Sequence, residues 1–336
     1  MIEHAQVPLA SLTTLRIGGP ASRVVYVKDE SEVREALKTA SAEGLSWYVL
    51  GGGSNVLAPD AGYSGMVIVM QLPRMSFDDD EEGVLAIAEA GVPWDDFVRE
   101  AASRHVWGLE NLAGIPGSVG AAPVQNIGAY GTEIADTLLW VDALDPDTGE
   151  VVRLERDACE LGYRDSRFKR NPGLIILRVA FRLRRDGAAK LSYKDLQKVL
   201  HDGVPLATPA EIGNAVRAIR AKKFPDLRVE GTAGSFFKNP VVSEETYGTL
   251  AAKHQGLPGF PGKSGVKLSL AWILDNVLGL KGLSVGGARL YEAQPLVIAT
   301  SQGATAREVN ELAEEVAARV KEAVNIDIER EVRALV

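Results

Sequence analysis

The chain has 336 residues, more than one hydrophobic core normally organises, so two or three domains are expected. Its 45 acidic against 37 basic side chains give a net charge of −8, which argues against non-specific nucleic-acid binding, and no apolar run reaches the roughly 18–20 residues of a membrane span. One cysteine rules out an internal disulfide, no Cys/His group has zinc spacing, and Met1-Ile2-Glu3-His4 lacks the basic and apolar regions of a signal peptide, so the expectation is a cytoplasmic protein without a metal.

Asp29-Glu30-Ser31-Glu32 predicts a helix start, with Val33, Ala36, Leu37 and Ala40 as its apolar face and Gly44 as its stop. Trp47-Tyr48-Val49-Leu50 reads as a buried strand running into Gly51-Gly52-Gly53-Ser54-Asn55, and 66–70 reads as another strand. A strand at 84–90 is followed by Pro93-Trp94-Asp95-Asp96, which opens a helix reaching about His105. Residues 108–131 then hold six glycines and neither lysine nor arginine. A loop of that length is either disordered or wrapped around a ligand, and its apolar members Leu112, Ile115, Val119, Val124 and Ile127 favour wrapping.

Strands at 138–144 and 151–154 flank Asp145-Pro146-Asp147-Thr148-Gly149 as a hairpin, and 174–183 adds a further strand. Thr208-Pro209-Ala210-Glu211 is a capping box for a helix that runs to Lys223 and stops at Pro225, with a domain boundary nearby. Beyond it come a Gly/Pro-rich loop at 256–265, a helix around 268–277 and a strand at 295–300. Thr305-Ala306-Arg307-Glu308 caps a last helix with Val309, Leu312, Ala313, Val316 and Val320 on one face, and 326–333 alternates as a strand should.

The most informative segment is Gly231-Thr232-Ala233-Gly234-Ser235-Phe236-Phe237-Lys238-Asn239-Pro240. A small-residue turn would put the Ser235 hydroxyl on an exposed apex, with the aromatic pair anchoring the strand behind it and Lys238 and Asn239 as polar contacts. None of the four histidines lies near this serine in sequence, so a proton-donor role suits it better than that of an activated nucleophile; the plain alternative is a strand that starts after a glycine turn. Gly51-Gly52-Gly53-Ser54-Asn55 offers N–H groups unobstructed by Cβ, suited to a diphosphate or simply to a tight turn, and Val56 breaks the dinucleotide fingerprint. Gly262-Lys263-Ser264 resembles the end of a phosphate-binding loop, but Leu257 stands where its first glycine belongs. Gly162-Tyr163-Arg164-Asp165-Ser166 places a guanidinium in a turn, for charge stabilisation or for a structural Arg164–Asp165 contact. Glu329 and Glu331, two apart, share one face of the expected terminal strand, either solvated or, if buried, with a raised carboxyl pKa. Basic clusters at Arg164, Arg167, Lys169, Arg170 and at Arg217, Arg220, Lys222, Lys223 flank glycine-rich segments, as solvated faces or as part of a phosphate-binding surface.

Leu15-Arg16-Ile17-Gly18-Gly19, 51–57, Gly114-Ile115-Pro116-Gly117-Ser118-Val119-Gly120, Gln125-Asn126-Ile127-Gly128-Ala129-Tyr130-Gly131, Tyr163-Arg164-Asp165-Ser166 and the serine segment occur in one order. In this, from about residue 9 to 333, the chain resembles the UDP-N-acetylenolpyruvoylglucosamine reductases (MurB) of bacterial peptidoglycan synthesis. The resemblance implies an α+β, three-domain FAD-binding fold of the vanillyl-alcohol-oxidase/PCMH-like type with a C-terminal substrate-binding domain. Residues 1–68 plus 326–336 and 69–222 would form the two FAD-binding subdomains, and 223–325 the substrate domain. Non-covalent FAD would be held by Gly51, Gly52, Gly53, Ser54, Asn55, Gly117, Ser118, Gly120, Gln125, Asn126, Ile127, Gly128 and Tyr130. NADPH would reduce the flavin, and UDP-N-acetylglucosamine enolpyruvate would then take hydride from it and a proton from Ser235. Arg164 and Glu331 match the family's charge-stabilising pair, and Tyr193, Lys223, Asn239, Lys281 and Gln294 its substrate contacts. A monomer is implied, with neither nucleic acid nor membrane as partner.

The tyrosine segment Leu191-Ser192-Tyr193-Lys194-Asp195-Leu196 and the extended loop before Lys267 point to the type I subgroup. Type I members carry a tyrosine in the mobile loop that closes over the substrate diphosphate, where this chain has Phe260 in a loop one residue shorter; a hydrogen bond lost to a charged oxygen costs ~1.5–3 kcal/mol. Two rival readings are a flavoprotein of the same fold that oxidises alcohols, and a UDP-sugar-binding protein without the chemistry.

Overall fold

Residues 1–262 and 264–336 are described by a computed structural model; Lys263, the centre of the phosphate-loop-like triplet, lies outside the described residues. Two units emerge from the contacts: one of Met1–Val7, Ala21–Gly53 and Ser64–Ala221, the other of Pro8–Pro20, Ser54–Tyr63 and Lys222–Val336.

In the first unit, the Asp29 side chain accepts the Glu32 N–H at 3.0 Å and starts the helix Glu30–Ala42. That helix sinks Val33, Ala36 and Ala40 against Val25, Met66 and Ile68 of a four-stranded sheet. Within this sheet Trp47–Leu50 runs parallel to Tyr63–Met70, with Trp47 opposite Met66 and Leu50 opposite Val69, and thereby delivers the chain into loop 51–55.

A second sheet, fully antiparallel, orders its strands Val151–Glu155, Leu138–Leu144, Ile175–Leu183, Gly83–Glu89 and Met75–Asp80. Against it lies helix Trp94–Ser103, whose Trp94 and Phe97 stack on Phe181 at 5.9 and 5.3 Å between centroids. Its acidic edge strand Met75–Asp80 has no apolar alternation to predict it; Arg182 at Asp80 and Arg185 at Asp79 neutralise it. Residues 108–131 are ordered and contain three short 3-10 turns, and Leu112, Val119 and Ala122 enter this unit's larger core. Helix Pro209–Lys223 carries the expected capping box, with Glu211 N–H on Thr208 Oγ1 at 3.2 Å and Thr208 N–H on Glu211 at 2.9 Å.

The second unit centres on an antiparallel sheet of Gly231–Ser235, Gln294–Thr300, Ala288–Tyr291 and Ser284–Val285. Helix Ala306–Val324 covers it with Val309, Leu312, Ala313, Val316 and Val320, all buried. Three expectations change here. The Gly/Pro-rich loop contains the hairpin Gly259–Gly262 with Gly265–Leu268. The helix around 268–277 starts at Leu270, where Asn239 and Ser269 cap the Leu270 and Trp272 N–H groups, and widens into a π-turn at Ile273–Val277. The tail is not a regular strand: it makes a bridge at Arg330 with Phe237 and a two-residue parallel pairing of Arg333–Ala334 with Val56–Leu57. Alternation fails at its end, since Glu331 and Val332 are both buried while Glu329 is exposed, so the two glutamates do not share a face.

The Thr305 hydroxyl accepts the Glu308 N–H at 3.2 Å and Glu308 answers at the Thr305 N–H at 2.9 Å, satisfying two otherwise orphaned donors. Thr305→Ala is therefore expected to lower stability by about 1 kcal/mol in urea unfolding.

Candidate functional site

Two loops of the first unit, 51–52 and 117–118, come into close contact. A Cβ on Gly51 would stand 2.5 Å from the Ser118 hydroxyl, and one on Gly52 would stand 2.8 Å from the Gly117 Cα. At Gly52 the contact is backbone to backbone, and only glycine permits it, whereas Gly51 faces the Ser118 side chain. Ser118 is held by the bridge of its own main chain to Pro93 and by Val119 N–H on Val92 at 2.9 Å. Its hydroxyl is buried with no hydrogen-bond partner among the described residues. A buried hydroxyl of that kind next to a glycine cradle fits a ligand rich in acceptor oxygens, as a diphosphate is.

The 108–131 loop is braced from below. Asp95 accepts the Gly114 N–H at 2.6 Å and both carboxylate oxygens lie 2.9 Å from Arg217 Nε, while Arg220 Nε donates to the Gly114 carbonyl at 2.9 Å. Desolvation alone would push the Asp95 carboxyl up, but Arg217, the Gly114 N–H and Arg99 outweigh it and hold the group below its ordinary value. Burial draws the Arg220 guanidinium below its ordinary value, against the pull of Tyr130 and Asp95. This brace was missed in the sequence, where Asp95 reads only as a helix-start residue; the Arg217/Arg220 cluster was the visible half of the signal.

Asn126 and Arg164 organise the far end of the same loop. Asn126, in the left-handed region with φ 45°, donates through Nδ2 to Glu133 at 2.9 Å and to the Gly162 carbonyl at 3.0 Å, and its Oδ1 accepts the Ala135 N–H at 3.1 Å. Its amide is spent on the protein, so a ligand would meet its main chain. Residues 162–165 close a tight turn with Arg164 at φ 53°, and Arg164 Nη2 donates to the Gly128 carbonyl at 2.9 Å. Asp165 turns instead to Arg170. Gln125, Ile127 and Gly128 are partly buried, and Gly120 packs against Ala90. Burial pushes the Tyr130 phenol up to about 12, and its ring meets the half-exposed Tyr193 edge to face at 5.1 Å.

In the second unit Ser235 ends a strand opposite Val297 and is not the apex of a turn. The irregularity is a bulge: Gly234 at φ 77° donates to Thr232 Oγ1 at 3.2 Å, and the register slips between Thr232 and Ser235. Beyond it Phe236 and Phe237 are both buried, edge to face at 5.3 Å, and fix the strand end. The tail pairs alongside, with Lys238 N–H on the Glu329 carbonyl at 2.9 Å and Glu331 N–H on the Phe236 carbonyl at 2.8 Å. Glu331 therefore lies beside the residue that follows Ser235, only 8 % exposed. Lys238 pairs with Glu329 at 2.7 Å, and Lys281 with Asp275 at 2.6 Å. Asn239 caps Leu270, Gln294 opens the strand beside Tyr291, and Lys223 ends the helix Pro209–Lys223. Phe260 is 54 % exposed in its hairpin, opposite Lys267. Of the residues expected at the site, Ser54, Asn55, Ser235 and Glu331 fall in the second unit and Gly51, Gly52, Gly53 and Arg164 in the first.

Residues 21–155 match the model of an FAD binding domain, and 226–335 that of the UDP-N-acetylenolpyruvoylglucosamine reductase C-terminal domain. The reductase of that name from Bdellovibrio bacteriovorus is 40 % identical over 326 residues, covering 96 % of both chains, and that from Escherichia coli K12 is 39 % identical over 323 residues, covering 95 % of this chain and 93 % of its own. The chain belongs to the UDP-N-acetylenolpyruvoylglucosamine reductase family. A crystal structure of the Thermus caldophilus MurB aligns over 100 % of both chains at 27 % identity with a TM-score of 0.70. The MurB fold class is thereby the α+β one expected, an FAD-binding part followed by the family's C-terminal domain. FAD is the cofactor, and the cradle of Gly51, Gly52 and Ser118 fits it.

Gly52→Ala is expected to yield folded protein that purifies with little flavin, read from its visible absorbance, since the new Cβ meets backbone that cannot move aside. With its folded-state pKa depressed, Asp95 contributes stability that is present above the unfolded value of about 4 and is lost as pH falls through the folded value. Asp95→Asn is expected to flatten the acid limb of the unfolding curve below about pH 4, followed by circular dichroism.

Proposed function

We propose that this chain reduces UDP-N-acetylglucosamine enolpyruvate to UDP-N-acetylmuramate in peptidoglycan synthesis, with NADPH as reductant. The observation that carries the reading is the pairing of Glu331 with Phe236, which sets a buried carboxylate beside the serine segment in a chain of this family. FAD, when bound, would supply the hydride chemistry that links NADPH to the substrate's methylene carbon. Every other task falls to side chains. Hydride addition leaves negative charge next to the substrate carboxylate, and Arg164 and Glu331 act on that charge, Arg164 by attraction and Glu331, in its carboxylic acid form, by donating a hydrogen bond. Ser235 Oγ then delivers the proton to the neighbouring carbon; a hydroxyl is a weak acid in water, yet a strong carbanionic base in a desolvated site draws its proton.

Ser54, Asn55, Gly117, Gly120, Gln125, Ile127 and Gly128 with the main chain of Asn126 are assigned to FAD alongside the cradle, and Tyr130 with them. Burial raises its phenol pKa to about 12, so the group stays neutral well into the alkaline range. Tyr193, Lys223, Asn239, Lys281 and Gln294 are assigned to the UDP-sugar, as in the type I subgroup. The division 1–68 plus 326–336, 69–222 and 223–325 is proposed as the functional one, and the enzyme as a cytoplasmic monomer.

Anaerobic reduction by one equivalent of NADPH, followed by the enolpyruvyl substrate, tests the assignment: the oxidised flavin spectrum is expected to return promptly. A flavin that bleaches and stays reduced would overturn the substrate. Ser235→Ala is expected to keep the first half-reaction nearly normal and to slow the second by roughly 10²–10⁴-fold; equal loss in both would remove the proton-donor role.

A further inference from the structure

The peptide group of Glu331 changes partners where the tail leaves the serine segment. Its N–H donates to the Phe236 carbonyl at 2.8 Å, whereas its carbonyl accepts from Asn55 Nδ2 at 3.2 Å. Two residues on, the Arg333 N–H donates to the Asn55 carbonyl at 3.2 Å, and Leu335 N–H follows on Leu57 at 3.0 Å. Asn55 thus grips the tail on both sides of Val332, whose buried side chain enters the second unit's core. No regular strand holds Glu331: around it stand an isolated bridge at Arg330 and a two-residue pairing beginning at Arg333. Without the Asn55 amide, the Glu331 carbonyl loses the bond on its loop-ward side, and the segment can shift along the serine strand.

We propose that Asn55 is a positioning residue for Glu331, so that the loop assigned to the flavin also sets where the carboxylate stands. The inference rests on the reading of Glu331 as a catalytic group. It adds to the cofactor role of Asn55 a second task that uses the side-chain amide toward protein.

The test compares the parent protein, Asn55→Ala, Glu331→Ala and the double variant in the two anaerobic half-reactions, with flavin content measured for each. With FAD supplied at saturation so that any loss of cofactor affinity is made up, Asn55→Ala is expected to slow reoxidation by the enolpyruvyl substrate roughly 10- to 100-fold more than it slows reduction by NADPH. The double variant is expected to be no slower than Glu331→Ala, because the amide acts through the carboxylate. Without any added ligand, amide hydrogen exchange over residues 330–336 is expected to quicken in Asn55→Ala. Arg333→Pro, which removes the N–H on the other side of the grip, is expected to copy both effects should Asn55→Ala fold poorly. Independent slowing in the double variant, equal loss in both half-reactions at saturating FAD, or unchanged exchange of the tail overturns the proposal. A parent protein that the substrate fails to reoxidise overturns the functional reading and the positioning role with it, and is told apart by appearing without any substitution.

Discussion

The pairing of the C-terminal tail with residues 236–238 is the contact on which the placement of Glu331 beside the serine segment depends. It joins the end of the chain to a strand almost a hundred residues earlier through two main-chain bonds, Lys238 N–H on Glu329 and Glu331 N–H on Phe236. Such long-range pairing costs loop-closure entropy, and apolar burial offsets it: Ile326 and Val332 from the tail and Phe236 and Phe237 from the strand join one core. Ser235 is held from the opposite side by Val297, and the bulge at Gly234 lets two consecutive aromatics point inward. Serine and glutamate are therefore placed by the same few bonds.

In the first unit the corresponding constraint is the Asp95–Arg217–Arg220 brace under Gly114. A loop of 24 residues with little secondary structure would be floppy if left to itself. Here three charged side chains hold one end, and Asn126 holds the other through three hydrogen bonds. Buried charge is tolerable because each ion has fixed partners, and the carboxyl of Asp95 is held ionised by them. The cradle at Gly51, Gly52 and Ser118 then forms between two backbones with little freedom left to lose on binding.

Much of this was legible in the residues. Helix starts at Asp29, Thr208 and Thr305 were visible because a cap is a local interaction spanning three residues. The strands Trp47–Leu50 and Leu138–Leu144 were visible because each is an apolar run bounded by turn chemistry. Less legible were the acidic strand Met75–Asp80, held by antiparallel pairing with Gly83–Glu89 and neutralised by Arg182 and Arg185, and the hairpin at Gly259–Gly262, hidden by its prolines and glycines. Asp95 was misjudged for the same reason: its meaning comes from an arginine 122 residues away.

By itself the sequence determined which side chains are available for the chemistry, the ordered set of glycine motifs, and the capped helices, since these depend on composition and on neighbours within a turn. Tertiary structure alone decided that Ser235 stands on a bulged strand, that Glu331 is buried while Glu329 is exposed, and that Asn55 holds the tail. The terminal alternation could not foretell this, because the tail borrows its partners first from the serine strand and then from residues 55–57, and each change of partner resets which side chains face the core.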